Sequence, residues 1–108
     1  MNRTELLPGE QILKTIKGDC WQTPNRIFTN QVPGTYIFTN QRIIFQGNGI
    51  IEKLRLNFDI PYKEISSIEP YLVVFFPTGI RVYLKNGTHY RMSVMKRKEC
   101  MELINRYL

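Results

Sequence analysis

"TYIFTNQRIIFQ", Thr35 to Gln46, is the stretch whose reading decides the fold. If Asn40 and Gln41 form the tip of a hairpin, Phe38 faces Ile43 and Tyr36 faces Phe45 across the two arms. Side chains alternate along a strand, so this register gathers four large apolar residues on one face. Thr35, Ile37, Thr39, Arg42, Ile44 and Gln46 fall on the other. A four-residue loop has the same parity, so a hairpin over Thr35 to Gln46 follows either way. The letters IFTNQ also occur at Ile27 to Gln31, where they lead into Val32-Pro33-Gly34. There Pro33 lacks an N–H and Gly34 invites a turn, so the duplication marks no repeat.

The same parity test applies downstream. At Lys85-Asn86-Gly87 a two-residue loop would set Leu84 opposite His89 and scramble the faces. A three-residue loop with Gly87 left-handed sets Leu84 opposite Thr88, Val82 opposite Tyr90 and Ile80 opposite Met92. Pro77-Thr78-Gly79 reads alike, with Gly79 supplying φ > 0, and sets Phe76 opposite Ile80, Val74 opposite Val82 and Leu72 opposite Leu84. The prediction is a three-strand meander from Leu72 to Met92. Weaker strand patterns lie at Gln11 to Lys17, Arg26 to Thr29 and Leu54 to Phe58, and "IPYKEI", Ile60 to Ile65, reads as a turn with a short helical twist. In the closing "KRKECMELINRYL", Cys100, Met101, Ile104 and Leu108 form one stripe at helical spacing, which predicts an amphipathic helix packed on the sheet.

A length of 108 residues with 43% hydrophobic and 22% charged residues fits one globular domain, 1–108. Fifteen Lys and Arg against nine Asp and Glu give a net charge of +6, which favours an anionic partner. "MNRTELLPGEQIL" lacks an apolar run behind a basic start, and no long uncharged apolar window occurs, so the chain reads as cytoplasmic, with peripheral attachment to a membrane as its route to one. Cys20 and Cys100 stand apart, without CxxC spacing, and read as free thiols. One histidine, His89, and no metalloprotease, nucleophile-elbow or phosphate-loop motif leave catalysis without residues to perform it; no cofactor and no metal site are expected.

From Gly34 through "GTYIFTNQRIIF", then "IPYKEI" and "GIRVYLKNGTHYRM" with a closing helix, the chain resembles GRAM domains of the pleckstrin-homology-like superfamily, and "LPGEQIL" at Leu7 to Leu13 resembles that family's opening segment. The resemblance implies a mainly β fold: a two-sheet barrel of about seven antiparallel strands capped by a C-terminal α-helix. It also implies a non-catalytic binding module for anionic lipid head groups or a protein partner. A pleckstrin-type lipid pocket would draw on basic residues around the first two strands, where Lys14, Lys17 and Arg26 stand with Asp19 among them.

The residues offer a candidate surface of their own. In the meander register Tyr71, Val73 and Phe75 point outward beside Arg81 and Tyr83, with Arg81 opposite Arg91 and Tyr83 opposite His89. Two directly opposed arginines beside aromatics suit an anionic or protein partner, or a homo-oligomer built through the outer face of residues 71–92. Lys96-Arg97-Lys98 is a second basic candidate, each cation near an anionic membrane being worth roughly 1 kcal/mol, although a solvated helix start explains it as well. Trp21 reads as a loop anchor on the core. Pro70 and Pro77 bracket "YLVVFF" as guards of an aggregation-prone strand. Nucleic acid is disfavoured, since the aromatics are scattered between sheet faces and form no stacking platform.

Overall fold

The computed structural model describes residues 5–48 and 56–108. Seven strands form one strongly curled antiparallel sheet in the order β4-β3-β2-β1-β7-β6-β5. They are β1 (Ile12–Thr23), β2 (Arg26–Thr39), β3 (Arg42–Gly47), β4 (Asn57–Pro61), β5 (Ile65–Val73), β6 (Phe76–Leu84) and β7 (His89–Val94), and helix α1 (Arg97–Arg106) follows. The two sheets expected from the sequence are the halves of this one sheet, which share β1. Strand β1 pairs with β2 on one side and β7 on the other.

The hairpin over Thr35 to Gln46 forms in the expected register, Phe38 against Ile43 and Tyr36 against Phe45. All four are fully buried. Their rings continue into Phe58 of β4: Tyr36 and Phe45 have centroids 4.7 Å apart, and Phe45 and Phe58 are stacked at 5.1 Å. Burying each such side chain is worth about 1.5–3 kcal/mol, so this hairpin supplies much of the core. The second hairpin also forms as expected, with Gly87 at φ 92 and Val82 against Tyr90, Ile80 against Met92, Arg81 against Arg91. Leu84 N–H donates to Thr88 O at 2.8 Å across that turn. Tyr62–Glu64 is the short 3₁₀ turn anticipated in "IPYKEI".

Several expectations are corrected. No turn occurs at Pro33-Gly34; the chain runs straight through as β2, fourteen residues long. Pro33 is tolerated because β3 ends at Gly47. Its carbonyl accepts from Asn48 N–H at 2.9 Å beyond that end, so its missing N–H breaks no rung of the β2–β3 ladder. Likewise β1 continues past Lys17 to Thr23 and carries Trp21 in the strand, at a bulge, not in a loop. Of the strand expected at Leu54 to Phe58, Leu54 and Arg55 lie outside the described residues, and the pairing strand is β4 at Asn57–Pro61. In α1 the buried stripe is Cys100, Leu103 and Ile104, whereas Leu108 is exposed. Tyr107 closes the stripe by stacking on Tyr62 at 5.0 Å.

The largest correction concerns the meander. The β5–β6 turn is Val74-Phe75, not Pro77-Thr78-Gly79, and the register sets Val73 against Phe76, Tyr71 against Gly79, Pro70 against Ile80 and Ile68 against Val82. Leu72, Val74 and Phe76, expected in the core opposite Leu84, Val82 and Ile80, are exposed. Ile65 takes the place opposite Leu84. Gly79 has no positive φ; a Cβ there would come within 2.5 Å of the Tyr71 ring, so glycine is needed for close approach. Pro77 falls in the irregular pairing between Tyr71 and Val73, where no ladder N–H is needed.

Candidate functional site

Geometry resolves the two basic candidates differently. On the outer face of β5–β6–β7, Arg81 and Arg91 are directly opposed, as the sequence implied. Their repulsion is answered within the face. The Tyr71 ring carries both guanidinium groups, the Arg81 Cζ 4.6 Å and the Arg91 Cζ 5.3 Å from its centroid. Glu69, paired with Arg81 across β5–β6, accepts from Arg81 Nη1 at 3.3 Å and from the Tyr83 hydroxyl at 2.9 Å. Tyr83 in turn lies 5.5 Å from the His89 ring. Arg81 is therefore engaged with its own face, while Arg91 lies over the same ring with its buried Nε lacking a hydrogen-bond partner. Val73 and Phe75 do not extend this face as expected: Val73 is half-buried, and Phe75 projects from the turn.

Within Lys96-Arg97-Lys98 the three cations have separate tasks. Lys96 occupies the step from β7 to α1 with φ 54, a left-handed residue at the cap position. Arg97 reaches back and donates from Nη1 to the carbonyls of Tyr71 at 3.0 Å and Gly79 at 3.4 Å. It thus fastens the start of α1 to the β5–β6 hairpin near its turn. Lys96 and Lys98 remain exposed, and Glu99 beside them pairs with Lys14 at 3.0 Å.

The hairpin so fastened ends in an apolar tip where Phe75 points outward as expected and Leu72, Val74 and Phe76, expected in the core, join it in solvent. Phe75 is 86% exposed and Val74 73%, with Leu72 and Phe76 also uncovered. Val74 stands at φ 59, a conformation that costs a β-branched residue about 1–3 kcal/mol. The Ser93 hydroxyl donates to Thr78 Oγ1 at 2.9 Å, which ties β7 to the same hairpin. Met95, two residues on and 65% exposed, leaves the sheet beside the tip. Sequence could have located this tip: Ile65 and Ile68 already fill inward positions of β5, which leaves "LVVFF" to the turn end of the hairpin.

The pleckstrin-type cluster of Lys14, Lys17 and Arg26 does not assemble. At about 3.3 Å per residue, Lys14 lies about 30 Å along β1 from the turn that carries Arg26. Lys14 is paired with Glu99, and Arg26 lies over the Phe28 ring at 4.9 Å. Lys17 borders a cleft of about 290 Å³ with Asp19, Asn48, Ser93 and Met95. Burial raises the Asp19 carboxyl above its ordinary range, and a carboxylate in the wall makes the cleft a poor anion pocket.

Cys20 and Cys100 are free and buried, and burial pushes both thiols up to about 11, away from reactive thiolates. Among the described residues no group of three or more His, Cys, Asp and Glu could hold a metal ion, and no helix is long and apolar enough to cross a membrane.

Comparison with known proteins agrees with the architecture. The family model for the bacterial PH domain matches residues 6–107. Among solved structures, the C-terminal domain of an unknown protein from Leishmania infantum superposes with a TM-score of 0.73 at 18% identity, over 93% of this chain and 85% of that one. The Vps36 N-terminal PH domain superposes with a TM-score of 0.71 at 11% identity, over 94% of this chain and 84% of that one. Among curated proteins, none matches.

Proposed function

This chain belongs to the bacterial PH domain family, and we propose that it is a non-catalytic binding module that attaches peripherally to an anionic membrane surface in the cytoplasm. One observation carries the reading: Lys96 and Lys98 stay exposed at the start of α1, while Arg42, Arg81 and Arg97 bond to internal partners and Arg91 lies over the Tyr71 ring. The net charge of +6 adds long-range attraction. Two lysines near anionic lipid contribute roughly 2 kcal/mol between them, enough for a weak, salt-sensitive contact. The narrower likeness to GRAM domains contributes the core hairpin of Thr35 to Gln46 and no contact residue.

Co-sedimentation with vesicles of phosphatidylcholine, alone or mixed with phosphatidylglycerol, tests the reading. Binding to the mixed vesicles should weaken as salt shortens the Debye length below about 10 Å. Lys96→Gln with Lys98→Gln should weaken it further, whereas Arg81→Gln with Arg91→Gln should leave it unchanged. Equal recovery with both vesicle types at every salt concentration would remove the electrostatic reading. A shift of nucleic acid by the same protein would favour that partner instead.

A further inference from the structure

Lys96 and Lys98 flank Arg97, whose bonds to the Tyr71 and Gly79 carbonyls bring the start of α1 to the strands that carry the apolar β5–β6 tip. We propose that Val74 and Phe75, with Leu72, Phe76 and Met95 around them, insert into the acyl region of a lipid bilayer while Lys96 and Lys98 meet the phosphates above. The inference rests on the membrane reading and names its point of contact.

Three observations carry it. The tip exposes four large apolar side chains and Met95 after β7 a fifth, with two exposed cations following at the start of α1, a combination complementary to an anionic bilayer and ill suited to water. It is tied down: Arg97 bonds to the Tyr71 and Gly79 carbonyls near the turn, and Ser93 bonds to Thr78, which joins the tip to the backbone that carries Lys96 and Lys98. Finally, Val74 occupies a left-handed position that glycine or asparagine would hold without strain. A large apolar residue maintained there against its own backbone preference points to use of its side chain.

Lipid is the occupant that fits. The tip is convex and only two residues wide, and five side chains fall well short of the about 20–30 residues per side of a stable protein interface. A fluid bilayer needs no matching concavity. Pairing of the β5 edge with a second copy is opposed by Pro70 within that edge strand.

The test uses the full chain with vesicles of phosphatidylcholine and phosphatidylglycerol. Val74→Ser with Phe75→Ser should lower vesicle affinity roughly tenfold or more without lowering Tm, since both side chains are exposed. In a Phe75→Trp variant, lipid brominated along its acyl chains should quench the new indole, with the parent giving the signal of Trp21 alone. If the double Ser variant sediments like the parent, or the indole at the tip is not quenched while vesicles bind, the tip is not the anchor and the membrane reading survives without it. If the parent binds neither vesicle type, both fall. A dimer in light scattering that Phe75→Ser dissociates would assign the tip to a second copy, and a large drop in Tm of the double variant would show it packed.

Discussion

Arg42 and Glu10 form a two-pronged ion pair beneath the N-terminal segment, Nε 2.8 Å from Oε2 and Nη2 3.1 Å from Oε1, with the Glu10 side chain fully buried. The carboxylate also accepts from the Thr39 hydroxyl at 2.6 Å and Leu7 N–H at 2.7 Å, and Arg42 donates onward to Glu5 O and Asp59. This ties "LPGEQ" to the first hairpin. These bonds, the Arg42 guanidinium foremost, hold the Glu10 carboxyl down at about 2 against an ordinary 4.5.

A depressed folded-state value makes Glu10 stabilising above the unfolded value and progressively less so as pH falls from about 4.5 towards about 2. The shift corresponds to about 3 kcal/mol. Urea midpoints measured from neutral pH down to about pH 2 should therefore drop more steeply for the parent than for Glu10→Gln. At neutral pH the variant should already be weaker by about 3 kcal/mol, because it leaves the largely buried Arg42 only the half-exposed Asp59 as a counter-charge. Parallel pH profiles would show that Glu10 titrates as an ordinary surface carboxylate.

Two glycines should fail for different reasons. Gly87 has φ 92 and nothing within 4 Å of where a Cβ would sit, so Gly87→Val costs about 1–3 kcal/mol through the backbone alone. Gly79→Ala meets the Tyr71 ring instead and should cost about 1–3 kcal/mol by overpacking. Trimming that ring separates the cases: in thermal melts, Tyr71→Ala should relieve the Gly79→Ala penalty and leave that of Gly87→Val intact. Additive penalties at Gly79 and Tyr71 would contradict the observed β5–β6 register.

Neighbouring cations at the start of α1 should likewise part company. Arg97→Met strands the Tyr71 and Gly79 carbonyls and should destabilise by about 1–3 kcal/mol. Lys98→Gln, at an exposed position, should stay within about 0.5 kcal/mol of the parent. Hydrogen exchange gives the spatial check, since loss of the Arg97 clamp should speed exchange in α1 and the β5–β6 hairpin before the Thr35–Gln46 hairpin. Identical melting of Arg97→Met and the parent would show that the Arg97 bonds do not hold α1 to the hairpin.

What the sequence determined by itself was local. Asn40-Gln41 and Gly87 tie each pair of arms through a short connection, and strand parity leaves one register with a continuous apolar face, so Phe38–Ile43 and Val82–Tyr90 could be paired on paper. The Arg81–Arg91 opposition followed from the same parity. Tertiary structure decided the rest, because there two local solutions compete and only a distant partner chooses. Pro33-Gly34 would suit a turn, but β1 lies alongside and pairs through it, Asp19 against Pro33 and Gly18 against Gly34. Between Ile65 and Phe76 both Leu72-Val74-Phe76 and Ile65-Ile68 could face inward; β5 places Ile65 opposite Leu84 directly after the 3₁₀ turn, and the core is filled before Leu72 is reached. The apolar residues left over become the exposed tip. Arg97 and Lys98 are adjacent and chemically alike, yet helix geometry turns one onto the hairpin carbonyls and the other into solvent. A residue's charge is written in the chain, but whether that charge is already engaged depends on which surfaces the fold brings together.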